Sequence, residues 1–212
     1  MEYSPEHLIH KRAATRTCVR CVMDDTDPAI IFDDEGVCNH CHEQARRWLL
    51  EVPPVDQRAG ELKRLVDRLK EDGRGKPYDC LIGLSGGVDS SMVAYELCKR
   101  GVRPLALHLD NGWNAEVSVR NVKNLVSNLG IDLKTHVLDW PEFRDLQLAF
   151  IRSGVINWEI PTDHAITALL FHSAKEHGVK YIISGSNLAT EAIMPTSWGY
   201  DHGDWRHIRA IH

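Results

Sequence analysis

Two rhythms run along the chain: short apolar runs of strand length, and longer stretches whose apolar positions recur with helical spacing. The clearest short run, Cys80-Leu81-Ile82-Gly83-Leu84, predicts a buried strand that feeds a glycine-rich turn. The residues behind that turn, Ser90 to Leu97, read as a helix. Arg103 to Asp110 predicts a second buried strand, Asp132 to Leu138 a third, and Val179 to Ile183 a fourth. Helical patterns lie between them. Val119, Val122, Leu125, Val126 and Leu129 mark a helix closed by Gly130. Pro141, at a helix N1 position, opens a segment running through about Arg152. Asp163 as N-cap starts a helix carrying Ile166, Leu169, Leu170 and Ala174 and ending at Gly178. This alternation predicts right-handed crossovers and a doubly wound parallel α/β sheet.

The first 77 residues read differently. A helix from about Cys41 to Leu50 stops at Pro53-Pro54, and an amphipathic helix from about Gln57 to Glu71 follows. Leu62, Leu65, Val66 and Leu69 form its apolar stripe, and Gly73 ends it. The expected organisation is a small module over residues 1–52, a linker helix over 53–77 and the α/β domain over 78–212.

Composition narrows the class. At 212 residues the chain can hold one α/β domain and a small appendage. A net charge of -5 argues against a partner made mostly of phosphate backbone. No apolar run approaches the roughly 18 residues of a membrane span, so no membrane association is expected. Met1 to Thr17 mixes Glu2, Glu6, His7, Lys11 and Arg12 and lacks the apolar core of a secretory signal. A reducing, cytoplasmic compartment is therefore expected, where cysteines bind metals or are simply buried.

Four of the six cysteines form two pairs, Cys18-Val19-Arg20-Cys21 and Cys38-Asn39-His40-Cys41. Residues 22–37 lie between the pairs, inside the zinc-ribbon range of about 15–20 residues. Each pair forms a knuckle that points two sulfurs inward, and two knuckles supply the four thiolates of a closed, structural Zn²⁺ site. Ile30-Ile31-Phe32 followed by Asp33-Asp34-Glu35-Gly36 reads as a strand and hairpin turn delivering Cys38. His40 or His42 could replace a cysteine, and an iron–sulfur cluster is the other metal reading. Cys80 and Cys98, in a strand and a helix, read as small core residues.

The turn after the first strand is Ser85-Gly86-Gly87-Val88-Asp89-Ser90-Ser91. A strand, a glycine turn and a helix start aim backbone N–H groups and the positive end of the helix at one point, which suits phosphate. Gly86 and Gly87 permit close approach and positive φ, while Ser85, Ser90 and Ser91 add hydroxyls. No Lys-Ser or Lys-Thr follows, which excludes a Walker A loop. The second and fourth strands also end in polar, glycine-containing turns, His108 to Gly112 and Ser184 to Asn187. Three such termini on one rim make a nucleotide site, because ligands of this architecture sit beyond the carboxyl ends of the strands. Asp110 could instead be a turn residue, and Asn187 a cap.

The seven-residue loop resembles the SGGxDS loop of the PP-loop ATP pyrophosphatases, which have an adenine nucleotide alpha hydrolase-like fold. That resemblance implies an ATP site formed by Leu84, Ser85, Gly86, Gly87, Val88, Asp89, Ser90, Ser91, Leu109, Asp110, Gly185, Ser186 and Asn187. The loop would grip the β,γ-pyrophosphate, the backbone near Leu109 would meet adenine, and Gly185 to Asn187 would approach the α-phosphate and ribose. Asp89 is the candidate ligand for Mg²⁺, and Asp89, Ser90 and Glu191 are the candidate catalytic residues. Glu191 could act on ammonia, bind a substrate hydroxyl, or simply be a solvated carboxylate at a helix start. The segment carrying Trp198, Tyr200, Asp201, His202, Asp204, Trp205 and His207 could stack on a sugar or base, or pack against a neighbour. The chain stops at His212 before the fifth element that a closed PP-loop domain would want, so a longer parent protein is expected.

The cysteine ribbon, the SGGVDSS loop, His108 to Trp113 and Ser184 to Glu191 together resemble the N-acetyl sugar amidotransferases of bacterial surface-polysaccharide (lipopolysaccharide O-antigen) biosynthesis. The resemblance implies an enzyme that adenylates an N-acetyl group of a nucleotide-activated sugar with ATP. Ammonia from a separate glutaminase subunit would then replace the carbonyl oxygen to give an acetamidino sugar, with release of AMP and pyrophosphate. Two other readings use the same parts. Some tRNA 2-thiolation enzymes also place a cysteine ribbon before a PP-loop domain, but they need further catalytic-domain cysteines, and none occurs here after Cys98. A non-catalytic nucleotide-binding module is the third.

Overall fold

In the computed structural model, which describes residues 16–191, 195, 199 and 201–212, the sheet order is β3-β2-β1-β4 and every pairing is parallel. The strands are β1 (Cys80–Gly83), β2 (Pro104–Asp110), β3 (Leu133–Val137) and β4 (Ile182–Ile183). The helices are α1 (Asn39–Glu51), α2 (Val55–Asp72), α3 (Val88–Lys99), α4 (Glu116–Leu129), α5 (Trp140–Ser153), α6 (Ile160–His177), α7 (Leu188–Glu191) and α8 (Trp205–Ile211). The chain divides into two compact units, residues 1–52 with 188–197, and residues 53–187 with 198–212.

In the larger unit both central strands bury both faces, as parallel strands covered by crossover helices must. Ile82, Leu84 and Ala106 pack with Ala94 of α3 and with Val122 and Val126 of α4. Leu81, Leu105 and Leu107 pack on the other side with Leu169, Leu170 and Ala174 of α6. Successive residues of one strand thus serve opposite layers, and the sheet is doubly wound. A third cluster joins Val66 and Leu69 of α2 to Cys80, Leu97 and Val102. Asp79 and Arg103 lock the start of the sheet. Arg103 donates to both carboxylate oxygens of Asp79 and to the carbonyls of Gly73 and Lys76.

Several boundaries differ from the sequence reading, each for a local reason. Helix α6 starts at Ile160 with Glu159 as N-cap, so Asp163 sits inside the first turns and is not the cap. Helix α5 starts at Trp140, its cap being Asp139, whose side chain accepts from Glu142 N, and Pro141 is one residue further in than expected. Strand β4 forms ladder pairs only over Ile182–Ile183, on one side, with β1. Strand β3 is mostly exposed, being an edge strand. Gly73 closes α2 without a left-handed φ; a side chain there would collide with Asp79, so the glycine answers to space.

Among its described residues, the smaller unit has little regular structure besides α1 and α7. Antiparallel bridges join Thr17 to Asp24 and Phe32 to Cys38. Where a strand was expected there is a single bridge, closed by a turn with Gly36 at φ +83°.

Candidate active site and metal centre

The glycine loop leaves β1 at Leu84 and enters α3 at Val88, with Gly87 as an N-cap that makes no side-chain cap. The first amides of α3 are therefore left for a ligand. Gly86 adopts φ +81°, and a Cβ there would overlap Ser118, falling 2.8 Å from its Cα. Within the loop Ser85 N and Ser85 Oγ lie 3.4 and 3.3 Å from Ser90 Oγ. Gly87 N donates to Ser85 Oγ at 3.3 Å, and Ser91 Oγ donates to Gly87 O at 2.6 Å. Ser90 is buried, while Ser85, Gly87, Val88 and Asp89 are exposed. Asp89 stands in the first turn of α3, where the helix dipole favours a carboxylate. A carboxylate beside a phosphate-shaped loop fits Mg²⁺, which takes oxygen ligands and substrate phosphates together.

The end of β4 meets this loop directly. A Cβ on Gly185 would sit 2.9 Å from both N and Cα of Ser90, so only glycine allows the two turns to touch. Ser186 N donates to Ser184 Oγ at 3.0 Å, which fixes the turn before Asn187. The end of β2 is organised by Asn114, whose Nδ2 donates to Leu109 O at 3.1 Å and Asp110 Oδ1 at 3.4 Å. Asp110 Oδ1 also accepts from Gly112 N at 3.0 Å, so this carboxylate shapes its own turn. Asn111 reaches Thr162 at the start of α6. A cleft of about 350 Å³ opens beside the loop, between Gly86, Gly87, Val88 and Ser91 and the α4 residues Asn121, Asn124, Leu125 and Asn128.

The structure thus brings Ser85 to Ser91 together with Gly185, and places Leu109 and Asp110 at the neighbouring strand end. Glu191 ends α7, which is counted with the ribbon unit. Trp198 and Tyr200 lie outside the described residues. The rest of that segment has structural contacts. Asp204 caps α8, His202 O accepts from His164 Nδ1, and His207 packs edge-on against Phe150. Asn114 and Asn121 were missed from sequence, because nothing separates them from other surface amides until the loop is built.

In the ribbon, the sulfurs of Cys18, Cys21, Cys38 and Cys41 all lie within 4.8 Å of one another. Cys18 and Cys41 are 3.9 Å apart and Cys21 and Cys38 3.7 Å. A tetrahedral Zn²⁺ with Zn–S bonds of about 2.3 Å needs sulfurs about 3.8 Å apart, so the donor set fits zinc. Backbone N–H groups of Arg20 and Cys38 point at Cys18 Sγ at 3.4 and 3.3 Å. Burial opposes ionisation of Cys18, yet these amides outweigh it and bring the thiol down to about 6. Burial pushes Cys21 and Cys41 up instead. Four crowded thiols that cannot all ionise alone are what a dication resolves. His40 and His42 are turned to Asp27 and Asp33, each at 2.7 Å, so neither is the ligand that the sequence left open. Cys80 is sealed in the core, where burial, then Asp79 and Cys98, push its thiol up to about 12. Burial raises Cys98 as well. Neither is poised as a nucleophile.

A parallel sheet whose first strand runs through a Ser-Gly-Gly loop into a helix, with the fourth strand's turn against that loop, is the PP-loop arrangement. Residues 61–144 match the family model described as NAD synthase, which supports the PP-loop superfamily for this part of the chain. Three solved structures are similar to it. An NMN synthetase from Francisella tularensis is 23% identical over 56% of this chain and 50% of its own, with a TM-score of 0.45. An NH3-dependent NAD synthetase from Campylobacter jejuni, in complex with nitrate, is 21% identical over 59% of this chain and 55% of its own, TM-score 0.45. A glutamine-dependent NAD+ synthetase from Acinetobacter baumannii, in complex with ADP, is 19% identical over 59% of this chain and 23% of its own, TM-score 0.46. The chain therefore spans about half the length of the first two. No curated protein matches it.

Proposed function

We propose that the chain is the nucleotide-binding part of an ATP-dependent, AMP-forming amidotransferase acting on an N-acetyl group of a nucleotide-linked sugar. The observation that carries the reading is the loop: Ser85 to Ser91 spans β1 to α3 with Gly185 pressed on Ser90. The ribbon ahead of it supports the sugar amidotransferase resemblance. So does Trp113, which follows the β2 turn and packs edge-on against Trp140 with ring centroids 5.3 Å apart.

In this reading the loop amides of Ser85 and Gly87 to Ser90, with the hydroxyls of Ser85 and Ser90, bind the β,γ-pyrophosphate. Leu109 and Asp110 border the adenine, and Gly185, Ser186 and Asn187 the α-phosphate. Asp89 would hold Mg²⁺, whose charge would offset that of the departing pyrophosphate. The acetamido oxygen attacks the α-phosphorus, the bond to the β-phosphate oxygen breaks, and the amide N–H proton is lost. The product is an imidoyl adenylate and pyrophosphate. Ammonia adds to the imidoyl carbon and AMP leaves, giving an acetamidino group. Preorganised N–H donors stabilise the charge that develops on the leaving phosphate. Glu191 takes the proton released by ammonia. The ammonia comes from a separate glutaminase, since Cys80 and Cys98 are not poised for that chemistry. The ribbon binds Zn²⁺ structurally, and the site of action is cytoplasmic.

Product analysis tests this. ATP, Mg²⁺, ammonium and a panel of UDP-diacetamido sugars should yield AMP, pyrophosphate and a sugar with NH in place of one carbonyl oxygen. Thiolated tRNA in a parallel tube with a sulfur donor would move the protein to the thiolation enzymes, and ATP binding without AMP would make it a binding module. Asp89→Asn should keep the fold, judged by circular dichroism, and lose pyrophosphate release; unchanged turnover would remove Asp89 from the mechanism.

A further inference from the structure

We propose that His108 and Asn121 are positioning residues for the phosphate loop, acting on the carbonyls of Leu84 and Gly86; the proposal rests on reading this loop as a pyrophosphate grip. His108 lies in β2 among apolar neighbours and is only 6% exposed. An imidazole buried in such a strand needs a use for both ring nitrogens. Nδ1 lies 2.7 Å from Leu84 O, and a carbonyl can only accept, so Nδ1 carries the hydrogen. Nε2 is then the acceptor, and Asn114 Nδ2 donates to it at 3.4 Å. From the other side Asn121 Nδ2, on α4, donates to Gly86 O at 3.1 Å.

The effect follows from peptide geometry. In a trans peptide the C=O and the next N–H point in opposite directions. Pulling Leu84 O toward β2 therefore turns Ser85 N–H away from β2, and pulling Gly86 O toward α4 turns Gly87 N–H away from α4. Those two amides meet only serine hydroxyls, Ser90 Oγ at 3.4 Å and Ser85 Oγ at 3.3 Å. Such long bonds are weak and readily yielded to a phosphate oxygen. His108 is buried behind the loop, while Asn121 also lines the cleft beside it. Each holds one loop amide in place, and the glycines between them would otherwise leave those amides free to rotate.

The test is calorimetric binding of pyrophosphate, ATP and AMP to the chain and its variants. His108→Leu removes the donor, whereas His108→Asn keeps an N–H near the position of Nδ1. Asn121→Leu is similar in size, removes the donor without adding a charge beside the phosphates, and stands on the surface of α4, where folding is not at stake. Loss of one such bond should weaken pyrophosphate and ATP by about tenfold in His108→Leu and in Asn121→Leu. AMP, which lacks the β,γ-phosphates, should bind as before, and His108→Asn should recover most of the loss. Parallel weakening of AMP, or pyrophosphate binding equal to that of the unaltered chain, would overturn the proposal. If the unaltered chain binds AMP but no pyrophosphate, the loop reading itself falls and the positioning role with it.

Discussion

Gly86 is the residue on which the loop turns, because its φ of +81° and its contact with Ser118 each exclude a side chain. Left-handed backbone costs a residue other than glycine about 1–2 kcal/mol, before any steric displacement of α4. Gly86→Ala should therefore lower stability by about 2 kcal/mol or more and abolish pyrophosphate release; denaturant midpoints and a pyrophosphate assay measure the two separately. Asp163 makes a second case at this scale. Burial raises its carboxyl above the ordinary value, and His202 offsets only part of that. A carboxyl with a raised folded pKa binds its proton more tightly when folded. Stability is thus lost as pH rises from the unfolded value through the folded one, and the penalty is complete at neutral pH. Asp163→Asn should accordingly raise the melting temperature at pH 7, with a gain that shrinks toward zero in acid. A gain independent of pH would refute the assignment.

Elements show which signals survive folding. Apolar periodicity found all four strands and the crossover helices, because burial against two layers leaves little freedom in the central strands β1 and β2. It overcalled β4, expected over Val179 to Ile183 but paired only over Ile182–Ile183, and the pattern that marked α4 includes Val119, although 46% of that residue is exposed. Asp163 looked like a cap because an acidic residue preceding an apolar pattern usually is one. The preceding Ile160-Pro161 turn, buried against the rest of the unit, extended the helix over it. The loop was legible because seven consecutive residues carry it. Asn114 and Asn121 were not, since their roles exist only after a strand and a helix bring distant carbonyls within reach. The Asp79–Arg103 lock shows the same limit. Asp79 is buried and Arg103 about half-exposed, and the pair ties the end of α2 to the starts of β1 and β2. Arg103→Ala leaves that buried carboxylate with one backbone donor and should destabilise the unit, read as a lower midpoint in thermal or denaturant unfolding.

At the scale of the molecule the two units differ in what holds them together. The larger one owns three apolar clusters built from strands and helices. The ribbon owns one, and its buried members are Cys18, Cys38 and Cys41 themselves, with Cys21, Met23, Ile30, Phe32 and Val37 packed around them. Because that cluster is built on the cysteines themselves, the ribbon depends on a metal or a disulfide to hold it together. All six cysteines are free thiols, which leaves the metal. Each chain should therefore carry one Zn²⁺, and a strong chelator should unfold the ribbon while the α/β unit retains its own cooperative transition. Hydrogen exchange resolved along the sequence decides the matter. Residues 16–52 should lose protection with the metal, whereas β1, β2 and α6 keep theirs. A ribbon that stays protected in chelator, or a preparation that contains iron and sulfide, would show that the four thiols serve another purpose.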